Sequence, residues 1–388
     1  MATEIQRRDG PGPSLLFSEA EFRDRLARVR AAMAAASLDL VIIDDTESLH
    51  YLTGYTISQN VWRGCLVPIT GDPVMVVRRL DADPFLERSW LSDWVPTVDW
   101  EDQIAAAAAA IRAMGHDRGA IGIDHDSHSM TLALFARLQA ALPEARFSPF
   151  TGVVRTLRLN KSSAEIGYLE RAAAVCDNAM ADTLGAFRTG MSERDIAGIA
   201  SAAFLRHGAD HGRVGPVTRS GNGWGFLHGH MHEDGLGPGD MLHLEFVPTV
   251  MGYGARIMRP AIIGPAPEAL QDNARTIVAL QDRQIAAMVP GARGADVDAI
   301  VREGLIAAGL RTDYVNPTGY TLGFFHFSSI RTSDFTRVLT PAADWPMEPG
   351  MVFHIYCSAG GLAFSETVLV EESGPRRLTL YPRTLTEC

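Results

Sequence analysis

The stretch Gly239–Arg259, GDMLHLEFVPTVMGYGARIMR, is the part of this chain that decides the fold. It predicts two strands, Met241–Val247 and Gly252–Met258, joined by a turn. The residues of the first strand alternate between two faces. Leu242, Leu244 and Phe246 form an apolar face, and Met241, His243 and Glu245 form a mixed face. A carboxylate on the mixed face of so apolar a strand is either solvated or directed into a site. Glu245 is therefore the first candidate functional residue.

The composition is that of an ordinary globular protein. The chain has 388 residues, of which 46% are hydrophobic and 21% charged, and this length predicts two domains. The net charge of -11 comes from interspersed acidic and basic residues, which excludes a basic stripe for nucleic acid. The scattered cysteines have no CxxC spacing and are predicted to be reduced thiols. No apolar run has the length of a signal peptide or a membrane span, so we expect a soluble, cytoplasmic protein.

The residues before the hairpin alternate between helix and strand patterns. Helices are predicted at Phe17–Ala36 (with Ser18 as N-cap), Ile104–Ala113 and Met130–Ala141, and strands at Leu38–Ile43, Cys65–Ile69, Val74–Val77 and Ala120–Ile123. This alternation predicts an α/β domain that ends near Phe150. The segment Val153–Ala172 then leads into a second domain through a helix capped by Asn160 or Ser162.

The second domain contains an internal repeat. Gly190–Asp195 and Gly291–Asp296 both open an amphipathic helix, and the two segments lie 101 residues apart. A unit that recurs twice at long period predicts two halves related by a pseudo-two-fold, with a site at their junction. The strands predicted at Met351–Ile355 and Leu362–Val370 complete the second half.

Three segments resemble the creatinase/prolidase, or pita-bread, family. They are the hairpin, the sequence RLNKSSAEI at 158–166, and DLVIIDDTESLHYLTGY at 39–55. The resemblance spans nearly the whole chain. It implies a smaller α/β, creatinase-type N-terminal domain at 1–153. It also implies an α+β pita-bread catalytic domain at 154–388.

The metallopeptidases of that family hold metal through two Asp, one His and two Glu. Carried over by motif, these positions fall here on Glu245, Arg256, Tyr320, Tyr356 and Ser365. One anionic ligand of five remains, whereas a catalytic divalent metal normally needs about three protein ligands. The resemblance therefore implies no metal and no other cofactor in this chain.

Creatinase and ectoine hydrolase are metal-free members of this family, and they direct attention to His228. This residue lies 12 residues before Asp240, the spacing at which creatinase carries its catalytic histidine. Imidazole titrates near neutrality, so His228 is predicted to be a general base. Because His230 and His232 follow at alternate positions, a three-His metal site and a solvated His-rich loop are the alternatives.

Two arginines match creatinase positions that hold the substrate carboxylate. Arg63 corresponds to an arginine that reaches the neighbouring subunit's site, and Arg331 corresponds to the second one by spacing. Guanidinium groups bind carboxylates through paired hydrogen bonds. The pair implies a homodimer, while the alternative for each arginine alone is a solvated surface residue.

The remaining motifs are closer to ectoine hydrolase. The two glutamates that grip the guanidinium in creatinase fall on Met258 and Tyr356, which argues against creatine. The resemblance implies catalytic roles for Tyr320 and Tyr356 beside His228 and Glu245. It also implies substrate contacts by Trp62, Phe325, His354 and Glu366. Core packing is the alternative for His354 and Phe325, Trp62 could close the pocket, and Glu366 corresponds to a residue just beyond the metal ligands. Phe324, Phe327 and Trp224 are predicted to be pocket wall, core or pocket closure.

These observations predict a metal-independent hydrolase of a non-peptide C–N bond. The substrate is expected to be a small zwitterion with a carboxylate and an amidine-like cation, as in ectoine. The alternatives are a creatinase-type amidinohydrolase, a metal-dependent Xaa-Pro peptidase or lyase, and a non-catalytic pita-bread binding module. No nucleic-acid or membrane partner is expected.

Overall fold

The computed structural model describes residues 4–8, 12–56, 58–221, 225–326, 329–331 and 333–388. The described chain divides into two compact units. The N-terminal unit runs to Arg158 and also includes the segment His326–Thr332, while the C-terminal unit comprises Leu159–Phe325 and Ser333–Cys388. The division falls five residues beyond the predicted boundary at 153. Among the described helices, none is both long and apolar enough to cross a membrane.

The N-terminal unit is a sheet with helices, built as the alternating pattern predicts. Its described strands are β1 Gln6–Arg7, β2 Leu40–Ile43, β3 Gly64–Pro68, β4 Val74–Arg78, β5 Asp93–Thr97, β6 Ala120–Ile123 and β7 Arg146–Pro149. Its helices are α1 Glu19–Ala35, α2 Thr46–Thr53, α3 Ala82–Arg88, α4 Gln103–Ala113, α5 Leu132–Ala141 and α6 Val153–Leu157, with a short 3₁₀ turn at Arg79–Asp81. The Ser18 side chain accepts from the Glu21 N–H, so the predicted N-cap of α1 is confirmed.

The sheet of this unit has the order β1-β5-β4-β3-β2-β6-β7. Strands β2, β4, β5, β6 and β7 run in one direction, because β3 is antiparallel to both β2 and β4. The carboxyl ends of these parallel strands therefore share one edge of the sheet. Apolar side chains of the strands, of α4 and of α5 form the core of the unit.

The C-terminal unit has a larger sheet, and helices in two pairs. The described strands are β8 Val217–Ser220, β9 Met241–Phe246, β10 Thr249–Val250, β11 Tyr253–Gly254, β12 Ile257–Ile262, β13 Gly319–Thr321, β14 Val338–Leu339, β15 Val352–Ala359, β16 Leu362–Glu371, β17 Gly374–Arg377 and β18 Thr386–Glu387. The helices are α7 Ser163–Ala186, α8 Glu193–Arg206, α9 Glu268–Ala286 and α10 Gly294–Ala307, with a 3₁₀ turn at Gly225–His228. The main sheet has the order β14-β13-β15-β16-β12-β9-β8, with β17 on β16 and β18 on β12.

The predicted repeat is present in the helices. Helices α8 and α10 each have 14 residues, and both their first and last residues differ by 101 in number. Ser162 and Ser192 form capping boxes with Glu165 and Asp195, which satisfy the first N–H groups of α7 and α8. The sequence left Asn160 and Ser162 as candidate caps for α7, and Ser162 is the cap.

The second strand of the decisive hairpin differs from the prediction of Gly252–Met258. Strand β12 begins at Ile257, and the hairpin tip is a separate two-stranded ribbon in which Val250 pairs with Tyr253. The tip turns through Met251 and Gly252, whose φ angles are 51° and 78°. Two successive positive φ values are those of a type I′ turn, which closes a hairpin within two residues. The Asp210 carboxylate fixes this turn by accepting from both N–H groups, at 2.8 and 2.7 Å.

Candidate active site

One row of side chains crosses four strands of the C-terminal sheet. Tyr356 pairs with Ser365, Ser365 with Met258, and Met258 with Glu245. Directly paired residues point to the same face of a sheet. The face that carries Glu245 therefore also carries these three side chains, although their positions in the sequence are far apart.

A buried ion pair lies at the Glu245 end of this row. The Arg256 guanidinium donates through Nη1 to Glu245 Oε1, at 3.1 Å, and to the Tyr320 hydroxyl, at 3.0 Å. Glu245 is 4% exposed and Arg256 is 6% exposed. Burial raises the pKa of Glu245, although Arg256 and His228 act against this rise. A single guanidinium thus binds two residues that the sequence places at family metal-ligand positions.

Strand β16 holds the backbone of Arg256 in place. The Arg256 N–H donates to Thr367 Oγ1, at 2.9 Å, and the same hydroxyl donates to the Arg256 carbonyl, at 2.9 Å. Arg256 precedes β12 by one residue, so the threonine continues the strand pairing by side-chain bonds. Arg256 is consequently held in place both at its backbone and at its guanidinium.

Three rings surround the hydroxyl end of this arrangement. The Tyr320 ring lies 5.1 Å from His354 and 5.9 Å from Tyr356, and the His354 and Tyr356 rings stack at 5.2 Å. Because Tyr320 accepts from Arg256, its own O–H proton remains available for a ligand. Burial raises the pKa of both Tyr320 and Tyr356, so both phenols stay protonated at neutral pH. The Asn316 side chain acts against this rise in the pKa of Tyr356.

Several buried polar atoms on this face have no protein partner. Neither ring nitrogen of His354 and His243, nor the Ser365 hydroxyl, has a hydrogen bond among the described residues. All three side chains are 0% exposed. Buried polar groups are nearly always paired, so such a group of unpaired atoms indicates a place where a bound molecule or water supplies the partners. Burial lowers the pKa of both imidazoles, which keeps them neutral.

His228 is an exposed residue at the end of the 3₁₀ turn Gly225–His228, whose Phe226 is buried. It lies close enough to Glu245 and His243 to act electrostatically on both, lowering the pKa of each. The loop after this turn is held by Glu193, a fully buried residue of α8 whose carboxylate pairs with His232 Nδ1 at 3.0 Å. His230 is exposed. Among the described residues no three His, Cys, Asp or Glu side chains are placed to hold a metal, so the alternative of a three-His site is wrong.

Phe325 packs against the hairpin tip. Its N–H donates to the Gly252 carbonyl, at 2.9 Å, and its ring lies so close to Gly254 that a Cβ there would meet it at 2.3 Å. The ring is 7% exposed, and Gly254 is two residues before Arg256. A role for Phe325 as pocket wall stays a prediction, as does its contact with substrate.

Glu366 requires a correction. It follows Ser365 in β16, and successive strand residues point to opposite faces, so Glu366 lies on the face away from Glu245. Its carboxylate accepts from Arg259 Nη2, at 2.7 Å, and lies 3.6 Å from Arg377 Nε and 3.7 Å from Arg383 Nε. Glu366 and Arg259 are fully buried, and the three arginines occupy the carboxylate, so the expected substrate contact is not supported.

The other three predicted residues, Trp62, Arg63 and Arg331, belong to the N-terminal unit. The Arg63 guanidinium donates to the Asp44 carbonyl, to Ser129 Oγ and to Thr46 Oγ1, at 2.7, 2.9 and 2.6 Å. Contact with a neighbouring subunit's site would require this arginine, which is 3% exposed, to exchange those bonds. The homodimer and the carboxylate-binding roles of Arg63 and Arg331 stay predictions.

Trp62 is part of the N-terminal core. Its indole N–H donates to Asp44 Oδ2, at 2.8 Å, and it is 7% exposed. These contacts account for its burial by packing, and a substrate contact stays a prediction. Trp224 and Phe327 lie outside the described residues.

Arg256, Ser365 and His243 were not predicted from the sequence as site residues. Arg256 and Ser365 were noted only as departures from metal-ligand positions, and His243 only as a neighbour of Glu245 in the alternating pattern. The usable signal was that pattern itself, since His243 and Glu245 differ by two and share a face. The pattern does not give the three-dimensional path of the chain, which brings Arg256 to both Glu245 and Tyr320.

Two family models match this chain. Residues 167–372 match metallopeptidase family M24, and residues 25–160 match the creatinase/prolidase N-terminal domain. Because the first match covers more than half of the chain, the protein belongs to the M24, or creatinase/prolidase, family of hydrolytic enzymes, as the resemblance predicted. The pita-bread fold with a smaller N-terminal domain is thereby confirmed.

Individual relatives lie in both the peptidase and the non-peptidase branches. The chain is 26% identical to an uncharacterized peptidase, YqhT, of Bacillus subtilis over 93% of this chain and 99% of that protein. It is 25% identical to ectoine hydrolase of Halomonas elongata over 96% of this chain and 98% of that enzyme. A prolidase structure from Thermococcus sibiricus superposes with a TM-score of 0.83 at 20% identity, covering 96% of this chain and 100% of that chain. The structural likeness establishes the fold alone.

The residues present do not fit the metal that the M24 family name implies. Across the row the donors are one carboxylate and two hydroxyls, with the thioether of Met258 between them. The Arg256 cation already binds that carboxylate. A divalent ion at this place would face a guanidinium within contact distance of its one anionic ligand.

Proposed function

We propose that this protein is a metal-independent hydrolase of a non-peptide C–N bond in a small, carboxylate-bearing amidine, with ectoine as the type of substrate. The observation that carries the proposal is the Arg256 guanidinium, which bridges Glu245 and Tyr320 where metallopeptidases of the family hold ions. The relationship to ectoine hydrolase supports the substrate class.

The proposed chemistry uses side chains of the chain itself. His228 takes a proton from water, and the oxygen attacks the amidine carbon. The Glu245 carboxylate, whose Oε1 accepts from Arg256, accepts from the amidinium N–H through Oε2. Tyr320 or Tyr356 donates to charge that develops in the transition state. His228 then returns its proton to the leaving nitrogen, and the C–N bond breaks to give an amide and an amine.

Two residues of the N-terminal unit have a separate part in this proposal. Arg63 and Arg331 bind the substrate carboxylate, with Arg63 supplied by the second subunit of a homodimer. If Arg331→Ala retains ectoine turnover with an unchanged KM, Arg331 does not bind the substrate carboxylate. The role of His228 is unaffected by that result.

The decisive experiment compares His228→Ala with His230→Ala, its exposed neighbour two residues along. Loss of a positioned base costs about 10²–10⁴-fold in rate. We expect the first variant to lose ectoine hydrolysis by about that factor and the second to retain it, with both melting like the wild type. Wild-type ectoine hydrolysis by His228→Ala would remove His228 from the mechanism.

The alternatives give different products in the same assay. If the protein releases proline from Xaa-Pro dipeptides and chelators abolish this activity, it is a peptidase. If it releases urea from creatine, it is a creatinase. Binding without turnover of any of these compounds would identify a non-catalytic module.

A further inference from the structure

His243 is a buried residue of β9 that the chemistry proposed above does not use. It points to the same face as Glu245, two residues away, and its partner across to β8 is Thr218. The side chain is 0% exposed, and neither Nδ1 nor Nε2 has a partner among the described residues. Leaving a buried polar atom unpaired costs roughly 1–3 kcal/mol. A bound molecule would remove that cost.

The turn that carries His228 packs directly on His243. The Phe226 ring lies 5.2 Å from the imidazole in an edge-to-face arrangement. Thr218 Oγ1 donates to the Phe226 carbonyl, at 3.2 Å. The cross-strand pair Thr218–His243 therefore supports the turn at Phe226, two residues before His228.

The charges around His243 suit a neutral hydrogen-bonding role. His228 is the titratable neighbour that acts on it, and Glu245 is two residues further along the same face. Burial, with a smaller effect of His228, lowers the pKa of His243 to about 3. A neutral imidazole offers one donor and one acceptor, which matches a water molecule better than an ion.

We propose that His243 is a further catalytic residue, whose imidazole hydrogen-bonds the water that His228 deprotonates. The inference rests on the proposed function. His243 accepts from one O–H of the water while His228 removes the proton of the other, so the oxygen is oriented by two imidazoles. The oxygen forms the new C–O bond, the C–N bond breaks, and the proton on His228 passes to the leaving nitrogen. The second water proton leaves as the carbonyl forms and ends on the released amine.

The kinetic test separates the ring nitrogens of His243 from its packing. His243→Phe retains a ring against Phe226 but removes both nitrogens, whereas Thr218→Val removes the bond to the Phe226 carbonyl and leaves the imidazole. We expect His243→Phe to lower kcat for ectoine by on the order of 10²-fold with little change in KM. His243→Asn or His243→Gln should recover part of this loss, and Thr218→Val should lower kcat less than His243→Phe does. Wild-type kcat in His243→Phe, or an equal loss in Thr218→Val, would overturn the proposal.

A second measurement uses the wild-type protein without substrate. With ¹⁵N-labelled histidine, the ring signal of His243 is assigned by its absence from His243→Phe or, if that variant does not fold, from His243→Gln. Magnetization transfer between water and this ring is expected, and its absence would contradict the proposal. If the wild type fails to hydrolyse ectoine, the proposed function fails, whereas the water contact of His243 is still decided by this spectrum.

Discussion

Arg256 is the residue on which the chemistry of this site depends. Its guanidinium is 3.1 Å from Glu245 and 3.0 Å from Tyr320, inside a sheet where all three side chains are buried. A buried ion pair adds little net stability, but removal of one member leaves the other charge without compensation. The pair is therefore sensitive to single substitutions and tolerant of a matched double substitution.

The first prediction follows from this asymmetry. Arg256→Met should destabilise the protein by about 3–5 kcal/mol, because Glu245 is then buried as an uncompensated carboxyl group. Arg256→Met combined with Glu245→Leu should recover much of this loss. Thermal unfolding measures both changes, because 1 kcal/mol shifts the melting temperature of a unit of this size by about 2–4 °C. If the single and double variants melt together well below the wild type, the ion pair is not the cause.

Individual residues show where sequence reasoning reached its limit. Glu245 was predicted from its place in an apolar strand, and it lies in the site. The position of Glu366 was also within reach, because it differs by one from Ser365 and must point the other way. The Arg256 bridge was not within reach, since it depends on the path of the hairpin tip and on Tyr320, 64 residues further along the chain.

At the scale of elements, the hairpin tip is the feature that places Arg256. Gly252 has a φ of 78°, and a Cβ there would meet the Phe324 ring at 2.1 Å. Both the backbone conformation and the ring contact therefore favour glycine at this position. The tip packs against the Phe324 ring, and two residues separate the end of β11 from the start of β12.

The second prediction separates these two requirements. Gly264 has a similar φ of 81° but no atom within 4 Å of its hypothetical Cβ. Gly264→Ala should cost only the conformational term of about 1–2 kcal/mol. Gly252→Ala should cost a further ~1–3 kcal/mol from overpacking against Phe324. Denaturant titration compares the two, and equal losses would show that the ring moves aside.

The helices were predictable from the sequence to a greater extent than the hairpin. Ser18 and Ser162 are helix caps as expected, because a capping side chain acts within four residues of chain. Helix α2 was missed because its eight residues are fewer than the window over which a helical period is recognised, although Asp45 caps it and Gly54 ends it. The extent of β12 was wrong because the two-residue turn at Met251 carries no strong sequence signal without its Asp210 partner.

At the scale of the whole molecule, the donor set leads to the third prediction. An ion bound to the folded state at 100 times its Kd would add about 2.7 kcal/mol to the free energy of unfolding. We expect no change in melting temperature when manganese, zinc or iron is added to chelator-treated protein. A reproducible rise of several degrees, with one equivalent of metal per chain by elemental analysis, would contradict metal independence.

The segment His326–Thr332 belongs to the N-terminal unit although the chain on both sides of it belongs to the C-terminal one. The polypeptide thus passes between the units three times. A chimera that exchanged residues 1–158 with a relative would combine a foreign N-terminal unit with a native segment that evolved against different neighbours. Recombination between family members should therefore succeed only when a second exchange replaces residues 326–332 as well.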